Sequence, residues 1–316
     1  MVKIDLITGF LGSGKTTFIK MYAEFLLKKG YKIGILENDF GAVNVDMMIL
    51  QKLAGENCEL EMISGACDKD CHKRRFKTKL ISMAMRGFDR IIVEPSGIYD
   101  TDEFFDTLHE PPLDNWYEPG NVITIVDGAM GAMDTDLSGS ADFIASAQIA
   151  CGGKIILSKC SQASADEIEN TVNYLVQRGK KCHCGKDFEK RIIKKDWNEF
   201  TDKDFEEIST CGYNSDSYLD EITRRSIDSG NFQSVYFMNK KIPFEKLEKK
   251  LKKMLADQTC GKIFRIKGFA LNKENKWFQI NCTKKNFTFE PIENGQEVFI
   301  VIGENLNKDI IENYFE

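Results

Sequence analysis

At 316 residues, with 42% hydrophobic and 29% charged side chains, the chain has the composition of an ordinary globular protein and is long enough for one large domain and one smaller one. A formal net charge of −6 sets its overall field against nucleic acid and anionic lipid, so neither is expected as a partner. No apolar run approaches the ~18 residues that suggest a membrane span.

In chain order, the first 160 residues alternate short apolar runs with helical stretches. Ile4 to Thr8 reads as a strand, and Lys15 to Lys29 has helical spacing through Phe18, Ile19, Tyr22, Phe25 and Leu26. Lys32 to Glu37 and Glu59 to Ser64 are further strands, and Arg75 to Arg86 is a helix with Leu80, Ile81, Met83 and Ala84 on its apolar side. Arg90 to Glu94, Val122 to Val126 and Lys154 to Leu157 are short apolar strands, with helical segments between them at Asp102 to Leu108 and Ala141 to Ala150. This order predicts an α/β fold, a mainly parallel sheet covered by helices on both faces. A helix over Ala165 to Arg178 closes a first domain, residues 1–180. Residues 181–231 read as an irregular insertion or linker. Residues 232–316 read as a small α+β domain: strands at Ser234 to Met238, Lys262 to Leu271, Lys276 to Phe289 and Val298 to Ile302, with helices at Pro243 to Leu255 and Lys308 to Phe315.

The segment Gly9-Phe10-Leu11-Gly12-Ser13-Gly14-Lys15-Thr16 matches G-x-x-x-x-G-K-[ST] at every fixed position, between a strand and a helix. The glycines Gly9, Gly12 and Gly14 let the backbone curl so that its N–H groups, with Ser13 and Thr17 beside them, point at phosphates. Lys15 supplies charge to the β and γ phosphates, the Thr16 hydroxyl is placed to ligate Mg²⁺, and the helix dipole aims at the same anion. A second acid near Mg²⁺ is expected at a neighbouring strand end, and two strands end suitably, in Glu37-Asn38-Asp39-Phe40-Gly41 and in Glu94-Pro95-Ser96-Gly97. Asp39 and Glu94 are the candidates, and Gly97 would let a loop swing onto the γ-phosphate.

These three strings together resemble the CobW family of P-loop GTPases, which look like GTP-driven metallochaperones or metal-insertion factors. The resemblance covers residues 1 to about 160 and continues less specifically through the C-terminal unit. It implies GTP as substrate, Mg²⁺ as cofactor, a switch acid at Glu94, an acid at Asp46, and Asp127 after the strand ending in Val-Asp. The chain also departs from the family. Asp39 stands where the family has Glu, and Ala42 stands where a second acid is common. The family's Gly-Cys-x-Cys-Cys motif is replaced by Gly65-Ala66-Cys67-Asp68-Lys69-Asp70-Cys71-His72. The guanine-reading Asn/Ser-Lys-x-Asp is Ser158-Lys159-Cys160-Ser161, in which Ser161 offers one hydroxyl and no charge. Ser158 and Lys159 keep their nucleotide-binding positions, the Lys159 stem being able to pack along a base.

The N-terminus runs straight into a strand without a signal peptide, which makes the cytoplasm the expected location. In a reducing compartment, ten cysteines are read as metal ligands, redox groups or buried hydrophobes rather than disulfides. Cys58, Cys151, Cys160, Cys211, Cys260 and Cys282 are isolated and read as small buried hydrophobes. Cys67 and Cys71, four apart before a helix, would share one side of a helical turn, with His72 and Asp68 or Asp70 adjacent. Two thiolates and an imidazole suit Zn²⁺ or another borderline-soft ion. Cys182-His183-Cys184 is a second dense group in which alternate thiols would share a strand face, although a structural role is the plainer reading there. The basic stretches Lys73–Lys79 and Lys246–Lys253 read as solvated helix faces. The resulting expectation is a metal-handling GTPase whose partners are GTP or GDP and a client metalloprotein, with a homodimer allowed. A non-catalytic regulator and a P-loop small-molecule kinase are the competing readings.

Overall fold

The computed structural model describes residues 1–38, 49–63, 69–97, 99, 101–130, 140–182, 184–214, 232–238, 240, 242–282, 287–292 and 297–315. Among these the chain divides into two compact units, one ending at residue 214 and one beginning at residue 232.

The first unit is a seven-stranded parallel sheet. Its strands are β1 (Val2–Thr8), β2 (Ile33–Asn38), β3 (Cys58–Ile63), β4 (Arg90–Pro95), β5 (Tyr117–Asp127), β6 (Lys154–Ser158) and β7 (Ile192–Ile193), in the spatial order β3-β2-β4-β1-β5-β6-β7. Its helices are α1 (Lys15–Lys28), α2 (Lys69–Ala84), α3 (Thr101–Leu108), α4 (Ser140–Cys151), α5 (Ala165–Lys181) and α6 (Asp202–Ile208). Alternate side chains of each strand enter opposite cores, as strand geometry requires. Leu36, Ile91 and Val93 pack with Phe76, Leu80 and Met83 of α2, whereas Ile33, Ile35 and Ile92 pack with Phe18, Tyr22 and Leu26 of α1. Both faces are therefore buried, and the strands read as continuous apolar runs.

The middle of the sheet holds a buried ion pair, Asp5 with Arg90. Asp5 of β1 has no solvent exposure, and β5 shifts register beside it, between the partners of Ile4 and Leu6. The shift lets the Asn121 backbone N–H and side-chain amide donate to Oδ1 of Asp5, at 2.8 and 3.1 Å. Oδ2 accepts from the Tyr22 hydroxyl and from Arg90 Nη1, both at 2.8 Å. A Cβ on Gly120 would lie 2.3 Å from Oδ1, so only glycine fits there. Burial works against the Arg90 charge, yet Asp5 and Tyr22 more than offset it and hold the guanidinium above its ordinary range. Burial first, and then Asp5, push the Tyr22 phenol well up.

Residues 181–214, expected as the start of an insertion or linker, pack into this first unit. Cys182, Cys184 and Phe188 join the core formed by α5 and β6. The two-residue β7 extends the sheet beside β6. α6 sets the Phe205 ring 6.3 Å from Phe18 and 5.5 Å from Phe25. A two-residue strand shows no alternation, and α6 carries only Phe205 and Ile208 as buried positions in a polar helix, so the sequence signal there is weak.

The second unit is an antiparallel sheet of β8 (Phe232–Met238), β9 (Lys262–Leu271), β10 (Trp277–Cys282), β11 (Phe287–Ile292) and β12 (Val298–Glu304), in the order β11-β10-β9-β12-β8. Helices α7 (Phe244–Ala256) and α8 (Lys308–Asn313) complete it. Leu247, Leu251 and Met254 of α7 share its core with Ile266, Ile280, Phe299 and Ile311. This is the small α+β domain expected from residue 232 onward.

Removing one partner of a buried ion pair leaves the other charge stranded. Arg90→Ala should cost about 3–5 kcal/mol of stability in urea unfolding. A loss below about 1 kcal/mol would mean that the Asp5 network does not hold the three strands together.

Candidate functional site

The loop from Gly9 to Gly14 joins the central strand β1 to α1, and its shape depends on its glycines. Gly9 has φ +140°, and a Cβ on it would lie 2.1 Å from the Ile125 carbonyl oxygen of β5. Gly12 and Gly14 have φ of 77° and 96°, the left-handed region that side chains disfavour. Gly14 then caps α1, with the Phe18 N–H bonded to its carbonyl at 3.1 Å. The other N–H groups of that first turn have no intrahelical acceptor, which makes this end of α1 suited to an anion.

Lys15 is buried rather than solvent-facing, and its ammonium donates to the Gly9 carbonyl at 3.2 Å, folding back over the loop. The Thr16 hydroxyl donates to Oε1 of Glu94 at 2.8 Å, although the two are 78 residues apart. Thr17, next on α1, is exposed. Glu94 lies in register with Glu37 on the adjacent β2, and both carboxylates are buried. Sequence reasoning passed over Glu37, although it is the last carboxylate within β2 and lies one strand from Glu94. Among the described residues, the Thr8 and Ser13 hydroxyls and the Asn38 side-chain amide are buried without hydrogen-bond partners. Such groups are costly and rare, and three of them at the carboxyl ends of β1 and β2 and in the loop between β1 and α1 fit a polar ligand at this end of the sheet.

Gly97 follows β4 and lies against the loop: a Cβ there would stand 2.7 Å from the Leu11 backbone nitrogen. Gln148 of α4 donates to the carbonyls of Gly97 and Tyr99, both at 3.3 Å, tying α4 to this turn. On the other flank, Ser158 ends β6 and its hydroxyl donates to the Ser13 carbonyl. Lys159 adopts φ 56°, and its ammonium reaches the Gly12 carbonyl at 2.8 Å and Asp127 Oδ2 at 2.7 Å. The Trp197 ring, after β7, comes 3.7 Å from the position of a Cβ on Gly14. The Ser161 backbone N–H donates to Asp196 at 2.8 Å, a contact across 35 residues that the sequence did not signal.

The structure thus brings together Gly9, Gly12, Ser13, Gly14, Lys15, Thr16, Glu94, Gly97, Ser158 and Lys159 around one loop. Asp39, Asp46 and Cys67 lie outside the described residues. Cys71 is half-buried in the first turn of α2, and His72 next to it is fully buried. Among the described residues, no group of three or more His, Cys, Asp or Glu side chains is arranged to hold a metal. Cys182 and Cys184 are core residues, and burial, with Cys182 beside it, pushes the Cys184 thiol up to about 11. That environment disfavours the thiolate a metal needs. His183 lies outside the described residues. The basic face of α2 is matched by acids: Lys73 and Lys77 pair with Glu110, and Lys79 with Glu61. Among the described residues, no helix is long and apolar enough to cross a membrane.

The profile of the CobW/HypB/UreG nucleotide-binding domain matches residues 3–184, and that of the cobalamin synthesis protein CobW C-terminal domain matches residues 233–316. The chain is 29% identical over 171 residues to the zinc chaperone YjiA of Escherichia coli (strain K12), an alignment covering 52% of each protein. It is 32% identical over 130 residues to the zinc chaperone YeiR of the same organism, covering 40% of this chain and 38% of YeiR. The matched segment therefore spans about half or less of the length of these relatives. A crystal structure of the Zn(II)-bound YjiA GTPase from E. coli aligns over 99% of this chain and 98% of its own, at 16% identity and a TM-score of 0.39.

The close approach of Gly97 to the loop gives a direct test. Gly97→Ala should push Leu11 away and lower nucleotide affinity at least about tenfold, equivalent to ~1.4 kcal/mol. Gly55→Ala, whose added methyl meets nothing within 4 Å, should leave that affinity unchanged. Fluorescent-nucleotide titration of both variants distinguishes a local displacement from a general effect of losing glycine.

Proposed function

We propose that this chain, which belongs to the CobW/HypB/UreG family, is a GTPase that couples hydrolysis of the γ-phosphate to holding and handing on a transition metal, with zinc the first candidate. The observation that carries the reading is the Thr16–Glu94 hydrogen bond beneath a loop whose Lys15 is already buried and aimed inward. It brings a hydroxyl from the first turn of α1 and a carboxylate from the end of β4 to one point beside the phosphate loop. Catalysis of phosphoryl transfer is mostly positioning and charge neutralisation, and these residues are placed for both.

In this reading the loop amides and the first turn of α1 hold the phosphates. Lys15 exchanges its bond to the Gly9 carbonyl for phosphate oxygens. Thr16 and Glu94 are hard oxygen donors of the kind Mg²⁺ prefers, with Asp39 as a further candidate, and the ion would neutralise phosphate charge when bound. Glu94 accepts the hydrogen bond of the Thr16 hydroxyl, which leaves the lone pairs of that oxygen for the ion. Gly97, in contact with Leu11, carries movement of the loop into the turn after β4. Ser158 and Lys159 brace the loop from the opposite flank, and Lys159 offers its stem to the base.

The metal would be cargo, held by Cys67 and Cys71 with His72 or a nearby carboxylate. The support is the chemistry of that donor set, its position just after β3, and the zinc-chaperone names of the relatives. Thiolates must lose protons to bind, so metal affinity should fall as pH drops and binding should release protons. A client metalloprotein would receive the ion. The nucleotide can gate transfer only if the triphosphate and diphosphate states differ in metal affinity.

Two measurements test this. Lys15→Ala should weaken triphosphate binding by about 10–150-fold, the range for losing a charge-assisted bond, and should abolish phosphate release. Wild-type hydrolysis in that variant would defeat the GTPase assignment. Anaerobic zinc titration with GDP and with a non-hydrolysable GTP analogue should give affinities about 5–150-fold apart. The double change Cys67→Ser with Cys71→Ser should remove that zinc while sparing nucleotide. Equal zinc affinity in both nucleotide states would leave a GTPase without a metal gate.

A further inference from the structure

We propose that Gln148 is a positioning residue for the γ-phosphate: it draws the carbonyls of the turn after β4 away from the phosphate loop, and so lets that turn tell a triphosphate from a diphosphate. The inference rests on the nucleotide reading above and adds a residue of α4 that sets how the two nucleotide states differ.

The turn is held from several sides. The Tyr99 N–H closes it onto the Ser96 carbonyl at 3.0 Å, and the Ser96 N–H donates to the Asn38 carbonyl of β2 at 2.9 Å. Toward the phosphate loop, a Cβ on Gly97 would stand 2.7 Å from the Leu11 nitrogen and 2.9 Å from its Cα. A further hold comes from a side chain. Nε2 of the buried Gln148 donates to the Gly97 and Tyr99 carbonyls, both at 3.3 Å. Gln148 is itself fixed, because its backbone carbonyl accepts the Thr124 hydroxyl of β5 at 2.6 Å.

The direction of that hold gives it meaning. Cys151 of α4 shares the core of Phe76 and Leu80, whereas Phe18 and Tyr22 of α1 lie in the core on the other face of the sheet. The two carbonyls are therefore drawn toward the face opposite the helix whose first turn is suited to phosphates. A carbonyl oxygen carries partial negative charge, so two of them facing the loop would repel a phosphate. Thr16 and Glu94 are placed to hold the ion that bridges β- and γ-oxygens in such sites, and Gly97 follows Glu94 by three residues. The turn thus belongs to the γ end of a bound nucleotide. Both Gln148 bonds are long for an amide and a carbonyl, so the turn can leave this position at small cost. Without them it would hold the competent position for only part of the time, and the apparent affinity for a triphosphate would fall with that fraction. A diphosphate ends short of the turn and is indifferent to it.

The test is calorimetric titration of the full chain with GDP and with a non-hydrolysable GTP analogue, in Mg²⁺, beside single-turnover phosphate release. Gln148→Met keeps the length of the side chain and removes both donors. It should weaken the analogue about 5–30-fold, the range for one or two ordinary hydrogen bonds, and slow phosphate release at saturating GTP. Its GDP affinity should stay within about twofold of wild type, well inside the effect of one such bond. Ser146→Ala, two residues earlier on α4, loses the bond from Arg178 and leaves the turn untouched. Its ratio of analogue to GDP affinity should equal that of the wild type whatever its melting temperature. Should Gln148→Met fail to fold, Gln148→Asn retains an amide on a stem one methylene shorter and gives the same readout. An unchanged ratio in the Gln148 variant, whether both affinities hold or both fall together, would make Gln148 a structural residue and overturn the assignment while leaving a nucleotide-binding protein. A wild type that binds neither nucleotide would overturn the nucleotide reading itself, and this assignment with it.

Discussion

A carboxylate in the middle of the central strand, with no water to solvate it, constrains everything around it. Asp5 satisfies its charge through Arg90 on β4, Tyr22 on α1 and Asn121 on β5, so the three central strands and the helix after the phosphate loop share one set of hydrogen bonds. Desolvation makes any other register expensive, because a slip of one residue would leave an ion stranded in the core. The register shift of β5 at this point is part of the same solution, since it turns the Asn121 backbone N–H toward the side chain. With the strands fixed in the middle, their carboxyl ends are fixed too. That is what allows Thr16 and Glu94 to meet.

From there the site is a consequence of topology. In a parallel sheet all the strands deliver their following loops to one edge, and the strand order puts β4 and β5 on either side of β1. The loop after β1 is therefore flanked by the turn after β4, through Gly97, and by the turn after β6, through Ser158. The helices behind the sheet take part as well: Gln148 of α4 holds two carbonyls of the turn after β4. Substitutions at Gln148 would thus be felt at the phosphate loop through the turn at Gly97.

The sequence made some of this legible and hid the rest for physical reasons. The phosphate loop was readable because glycine, lysine and threonine seldom fall at this spacing, between a strand and a helix, unless a phosphate is to be held. The alternation of strands and helices likewise predicted a parallel sheet. The Glu94 position followed from its place at a strand end. The Asp5 network was not readable, since a lone Asp in an apolar run gives no hint of partners 85 and 116 residues away. Residues 181–214 looked irregular because their packing rests on scattered side chains such as Phe188, Phe205 and Ile208 rather than on a periodic stripe. Cys182 and Cys184 drew attention as a dense pair of possible ligands, yet burial assigns them to the core. The Asp196–Ser161 contact was invisible for a related reason: it joins the turns after two different strands.

The bracing of the phosphate loop from the β6 side has a consequence for which changes of sequence the loop can tolerate. Ser158 and Lys159 bond to backbone carbonyls of the loop, whereas Ser161 and Asp196 bond to each other beyond it. The loop is therefore braced through its backbone, by bonds that do not depend on which side chains the loop carries. An engineer could vary the loop's own side chains and leave both braces in place, whereas changing Ser158 or Lys159 would loosen a loop whose own sequence was untouched.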